Sequence, residues 1–247
     1  MSDASDGEDG LAGGVRFFQE PEGYFEPAKP ATFAEHQLIS GKVVTVRLVG
    51  HNPLWGHFLW NGGRVLSHYL EERAAELVKG KDVLELGAGS GLPSLVSAIC
   101  GANAGYIWGA SAEKVSSHLS NPSAGFDLLI LADLLFNHSE HGKLINTLEK
   151  SLKKTGDSHA LVFFTPYRPW LLDKDLAFFD RAKEAGFKVE KIMEKVIDKV
   201  MFEEDPGVGS NNLFSTNMLT RLQDELLRRT VYGFDVRWNS EKQDTGG

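Results

Sequence analysis

VLELGAGSGLPS (residues 83–94) joins an apolar run to a glycine-rich turn and then to a proline. The run Val83–Leu86 reads as a buried strand, and the glycines at 87, 89 and 91 as a tight turn. Pro93 falls in the first turn of a helix written PSLVSAIC. Backbone amides at the start of a helix carry partial positive charge, and glycines there let a ligand approach the main chain. A dinucleotide-binding turn requires G-x-G-x-x-G. Here position 92 is Leu, so the spacing is G-x-G-x-G, preceded by Glu85.

Outward from this turn the chain alternates strand and helix. Upstream, Leu59, Val65, Leu66, Tyr69, Leu70, Ala74 and Leu77 recur at helical spacing, which predicts a helix between Phe58 and Val78. Downstream, DLLILAD (127–133) and HALVFF (159–164) read as buried strands, SEHGKLINTLEKSLKK as an amphipathic helix and KDLAFFDRAKEAG as a helix closed by Gly186. Such alternation predicts an α/β fold with a mostly parallel sheet and helices on both faces. FKVEKIMEKV and VYGFDVRW predict a closing antiparallel hairpin, with Tyr232, Phe234, Val236 and Trp238 on one face of the last strand. Residues 1–16 have the composition of a disordered acidic tail. Residues 17–57 form an extension with prolines at 21, 27, 30 and 53 and one short strand, KVVTVRLVG, outside the main sheet. The domain proper is expected over 58–247, with 203–229 as an irregular insertion between the hairpin strands.

Composition narrows the function classes. In 247 residues, 42% hydrophobic, there is enough apolar side chain for one core. No run reaches the roughly 18 apolar residues of a membrane helix, and the start MSDASDGEDG is unlike a secretory or transit leader. No membrane association and a cytoplasmic location are therefore expected. The single cysteine, Cys100, excludes an internal disulfide and reads as buried filler. A net charge of −8 disfavours nucleic acid as a partner and favours a basic protein weakly.

E-x-G-x-G-x-G at the end of a first strand is the pattern of S-adenosyl-L-methionine methyltransferases. There the acidic residue faces the methionyl ammonium and the glycines pass under the ribose. Further motifs narrow the resemblance: EPEGYF, PLWGHFLWNGGRVLSHYLE, GYIWG, ILADLLFNHSEHGKL and VFFTPYRP followed by DLAFFDRAKEAGF. In this order they resemble the fungal protein N-terminal and lysine methyltransferases of translation elongation factor one-alpha, a nicotinamide N-methyltransferase-like family of the seven-β-strand class. The similarity runs from about residue 17 to 202 and resumes at 230–238. It implies a Rossmann-like sheet, S-adenosyl-L-methionine as cofactor, a protein substrate and a monomer. Cofactor contacts carried over by the resemblance fall on Gly87, Ala88, Gly89, Trp60, Trp108 and Ala132, with Trp55 a second candidate for the aromatic before the sheet.

Each of these residues has a plainer reading. An indole face stabilises a sulfonium cation, which favours the ligand reading for Trp60 and Trp108, while the plainer reading of each tryptophan, Trp55 above all, is core. Asp133 ends a buried strand, where open α/β sheets place their ligands, and a carboxylate there orients an amine or accepts its proton; the alternative is a helix-capping or turn Asp. Asn137, His138 and His141 lack the companions of a zinc site. Tyr167 of TPYRP reads as an aromatic wall on the acceptor side or as part of an ordinary proline turn.

The chain also departs from the family pattern. CGANAGYIWG (100–109) runs directly where the family has a second strand with a terminal acidic residue, a helix and a third strand. One or two strands are thus expected to be missing, the carboxylate for the ribose has no counterpart, and the first strand is expected to lose a ladder partner. The rival functions are a non-catalytic interaction protein with this fold and, disfavoured by Leu92, an NAD-type oxidoreductase.

Overall fold

A computed structural model describes residues 29–52, 55–107, 119, 125–198 and 218–239. The main sheet has six strands: β3 (Asp82–Leu86), β4 (Ala104–Ile107), β5 (Leu128–Ala132), β6 (His159–Phe164), β7 (Phe187–Val196) and β8 (Thr230–Trp238), in the order β4-β3-β5-β6-β8-β7. The first four are mutually parallel, and β8 runs antiparallel to both β6 and β7. This is the expected mostly parallel sheet with a terminal antiparallel hairpin, six-stranded among the described residues.

Alternation along the strands sorts the core into two layers. On one face Leu84, Leu86, Leu129, Leu131, Val162 and Phe164 pack with Val236, Tyr232, Phe234 and Trp238, so the predicted face of the last strand is the one that packs. Helices α4 (His141–Ser151) and α5 (Leu172–Glu184) cover it with Ile145, Leu148, Phe178 and Phe179. On the other face Val83, Leu128, Ile130, Leu161 and Phe163 meet Val65, Leu66, Tyr69 and Leu70 of α1 (Asn61–Glu72), which a short turn of helix, α2 (Ala74–Leu77), follows. Helix α3 (Leu92–Ile99) begins at the glycine turn with Pro93 in its first turn.

Three expectations are corrected. The first strand does not lose its neighbour: β4 pairs along β3 from Asp82↔Ala104 to Glu85↔Ile107, so the shortened connection still delivers a strand to that edge and its amides and carbonyls are bonded. The N-terminal extension holds two strands rather than one. β1 (Thr32–Gln37) pairs antiparallel with β2 (Val43–Leu48), and their inner residues Val44, Val46 and Leu48 pack on Leu92 and Val96 of α3. Within the supposedly irregular 203–229, Met218–Arg228 is a helix, α6, whose Leu222 and Leu226 remain half-exposed. The acidic tail and residues 203–217 lie outside the described residues. Among the described residues no helix is long and apolar enough to cross a membrane.

The hairpin is held on α1 by one stripe of side chains. Arg64 donates to Glu35 O at 3.3 Å, His68 Nε2 meets Gln37 O at 2.9 Å, and Glu71 accepts the amides of Ile39 and Ser40 at 2.6 and 3.0 Å. Spacings of four and three residues put all three on one face of the helix. The hairpin thereby anchors the segment leading from Gly50 into α1.

Candidate active site

A cavity of about 570 Å³ opens at the carboxyl ends of β3 and β5, where open α/β sheets bind ligands. Its size falls in the range of small-molecule sites, roughly 300 to 1,000 Å³. The floor is the glycine turn. Gly87 and Gly89 have φ of +61° and +51°, a conformation that disfavours any side chain, and a Cβ on Gly87 would lie 2.4 Å from Leu134 Cδ2. Above Gly89 the nearest atom to an added Cβ is Gly56 O at 3.7 Å, so the main chain there is open to a ligand.

Beneath the turn Glu85 is 1% exposed and accepts the Ser94 amide at 2.9 Å. Burial pushes its carboxyl up to about 7, the Ser94 hydrogen bond offsetting only part of that. The Ser94 hydroxyl, also buried, lies against the same carboxyl. A buried carboxyl poised near 7 becomes a receptacle for a cationic group once it has ionised.

Asp133 is held more tightly. Its Oδ2 accepts the Gly62 amide at 2.7 Å and its Oδ1 the Thr165 amide at 2.9 Å, with the Gly63 amide a further donor. The carboxylate therefore caps the N-terminus of α1 from across the sheet and ties it to the loop after β6. Its own backbone sits at φ +51°, one of two non-glycine residues with positive φ among those described. Burial pushes this carboxyl up to about 7 against the three amides. Asp133 thus occupies the predicted strand end, lines the cavity, and has the capping geometry of its plainer reading as well.

The aromatic wall forms around Trp60. Its ring lies parallel to Phe136 with centroids 6.3 Å apart and edge-on to Tyr167 at 4.7 Å, and its Nε1 donates to Trp55 O at 3.0 Å. Trp60 lines the cavity; Trp55 is half-exposed, at φ +56°, and touches Phe136 edge-on at 6.0 Å, one layer further out. Gly87, Ala88, Gly89 and Ala132 also line the cavity, so six of the eight residues singled out in the sequence meet at one place. Trp108 lies outside the described residues. Sequence reasoning missed Phe136 and Glu140, both in the lining. Phe136, three residues after Asp133 on the same loop, carried a usable signal: an aromatic at a strand's carboxyl end.

The chain is similar to known proteins in sequence. A family described as lysine methyltransferase matches residues 49–111. A protein N-terminal and lysine N-methyltransferase of Aspergillus fumigatus is 45% identical over 90% of this chain and 93% of its own. Another of that name, from Neurospora crassa, is 40% identical over 96% of this chain and 92% of its own. Among solved structures, a methyltransferase from Archaeoglobus fulgidus shares 11% identity over 71% of this chain and 94% of its own, with a TM-score of 0.44.

Proposed function

Since the chain belongs to the family of fungal protein N-terminal and lysine N-methyltransferases, we propose that its cavity binds S-adenosyl-L-methionine and that it methylates an amine of a basic protein, translation elongation factor one-alpha, in the cytoplasm as a monomer. The observation that carries this reading is the junction, in one cavity, of an open positive-φ glycine turn, a buried carboxyl beneath it and an aromatic wall opposite. Those groups fit the cofactor: the turn suits a ribose, Glu85 an ammonium and Trp60 a cation.

The bound cofactor would supply the methyl on a positively charged sulfur. The chain's own residues would do the rest. Trp60, held edge-on by Tyr167, and Phe136 would exclude water and orient the acceptor, which must arrive as a neutral amine to attack in line. Asp133 would act first as a positioning residue, fixing α1 and the loop after β6 on either side of the cavity. Its carboxylate would also draw a protonated amine towards the site and accept its proton there.

Calorimetric titration with S-adenosyl-L-methionine and with NAD, followed by labelled methyl transfer to purified elongation factor, tests the reading. Cofactor binding with label on the factor's N-terminus or a lysine is the expected result. Binding of NAD alone would replace the reading by an oxidoreductase. Binding of neither, on folded protein, would leave an interaction protein.

A further inference from the structure

In open α/β sheets a ribose is held by a carboxylate at the end of the strand next to the glycine turn. Here that neighbour is β4, which among the described residues holds no acidic side chain, residues 108–118 lying outside them. Among the described residues three carboxylates line the cavity: Glu85, Asp133 and Glu140. Two are already committed. Glu85 is buried under the turn with one oxygen on the Ser94 amide, and both oxygens of Asp133 are taken by backbone amides of α1 and the loop after β6.

Glu140 differs. It is the residue before the first turn of α4, yet its carboxylate caps no amide of that helix. Its one ion pair is with Lys143 Nζ at 2.7 Å, with side chains 39% and 77% exposed respectively. Pairs of this kind, solvent-exposed and three residues apart, contribute little, so the carboxylate is free to exchange its partner. It lines the same cavity as the glycine turn, with Asn137, three residues before it, also in the lining.

We propose that Glu140 is the carboxylate that receives the ribose diol of the cofactor, in place of the acidic residue that the shortened β3–β4 connection has removed. This rests on the S-adenosyl-L-methionine reading above. Binding exchanges the Lys143 ammonium for two hydroxyl donors, and the site needs no strand beyond β4.

The test is calorimetric titration of the full chain with S-adenosylhomocysteine and with its 2′-deoxy analogue, which separates binding from turnover. Glu140→Gln is expected to weaken S-adenosylhomocysteine at least tenfold, as loss of a charge-assisted hydrogen bond does. The 2′-deoxy analogue, which keeps only the 3′-hydroxyl, should bind the parent more weakly and lose less than S-adenosylhomocysteine does on Glu140→Gln. Lys143→Ala should bind as tightly as the parent or more tightly, since it only removes the competing partner. Unchanged affinity in Glu140→Gln, additive losses from variant and analogue, or a tenfold loss in Lys143→Ala would each overturn the assignment. So would a loss that follows Glu113→Gln instead, Glu113 lying outside the described residues. A parent that binds neither nucleoside would sink the cofactor reading itself, and this inference with it.

Discussion

The Gly62 amide and the Asp133 carboxylate, 71 residues apart in sequence, meet at 2.7 Å, and each explains the other's residue type. A Cβ at position 62 would lie 2.4 Å from Asp133 Oδ2, so only glycine lets the start of α1 come that close. Asp133 in turn satisfies amides that Trp60, the residue ahead of α1, leaves uncapped. Trp60 stands directly ahead of α1 and Asp133 directly after β5, so this contact ties together two elements that line the cavity.

Gly62→Ala should therefore act on both stability and the site. The added methyl must push α1 away from β5, an overpacking cost of about 1 to 3 kcal/mol. Urea denaturation should show that loss, and titration should show weaker cofactor binding by the folded fraction. Parent-like values in both would mean that the helix end relaxes without disturbing the wall.

Asp133→Asn turns one acceptor oxygen into an NH2 that must face a backbone amide of Gly62 or Thr165. Setting donor against donor costs about 1 to 3 kcal/mol of stability. Methyl transfer should fall by more than cofactor affinity, because the charge that favours the acceptor amine is also gone. A variant with parental turnover would confine Asp133 to its capping role.

Much of the fold was legible because its signals are local. The β/α alternation, the glycine turn and the terminal hairpin each occupy a dozen residues with a clear period. What escaped depends on partners distant in sequence. β1 was hidden because its inward face carries His36, buried against α1, rather than a β-branched run. Helix α6 did carry a local signal, Leu219, Leu222 and Leu226 at helical spacing, masked by the polar stretch around it. The persistence of a full ladder beside β3 could not be read from CGANAGYIWG, since four residues suffice for a strand whose pairing is decided by the edge it meets. The site residues were legible by type and position. The grip of three amides on Asp133 was not, since no motif encodes it.

Gly89→Val should abolish cofactor binding while leaving a folded chain. The space above Gly89 is open, so the branched side chain clashes with little protein and instead fills the room a ribose needs. The φ of +51° adds strain of about 1 to 2 kcal/mol, which a thermal melt will register as a modest drop. Equal cofactor affinity in the variant would remove the turn from the binding site.

Cofactor affinity should rise with pH through neutrality. Glu85 has a carboxyl near 7 in the unliganded protein, so at pH 6 it is mostly protonated and must lose its proton to face an ammonium. At pH 8 it is already ionised and the dependence levels off. Titrations in buffers of different ionisation heat should show proton release near pH 6.5, and Glu85→Gln should show neither release nor slope. A slope that survives in that variant would assign the titration to Asp133.

His36 should make the N-terminal hairpin acid-sensitive. The ring is 4% exposed, its Nε2 has no partner, and it lies 4.6 Å from the ring of His68. Burial, and after it the nearby His68 and Arg64, pull its pKa from 6.5 down to about 4, with Glu71 opposing. The folded chain thus keeps His36 neutral at pH values where the unfolded chain protonates it. Stability from this group is complete above pH 6.5 and is lost as the pH falls towards 4, by up to about 3 kcal/mol. Urea midpoints of the parent should decline over that window, and His36→Leu, which removes both the ionisation and the unpartnered nitrogen, should flatten the decline. Because the hairpin anchors the chain into Trp60, the parent should also lose cofactor binding in acid before the main sheet melts. A parent and His36→Leu variant with identical pH profiles would place the acid sensitivity elsewhere.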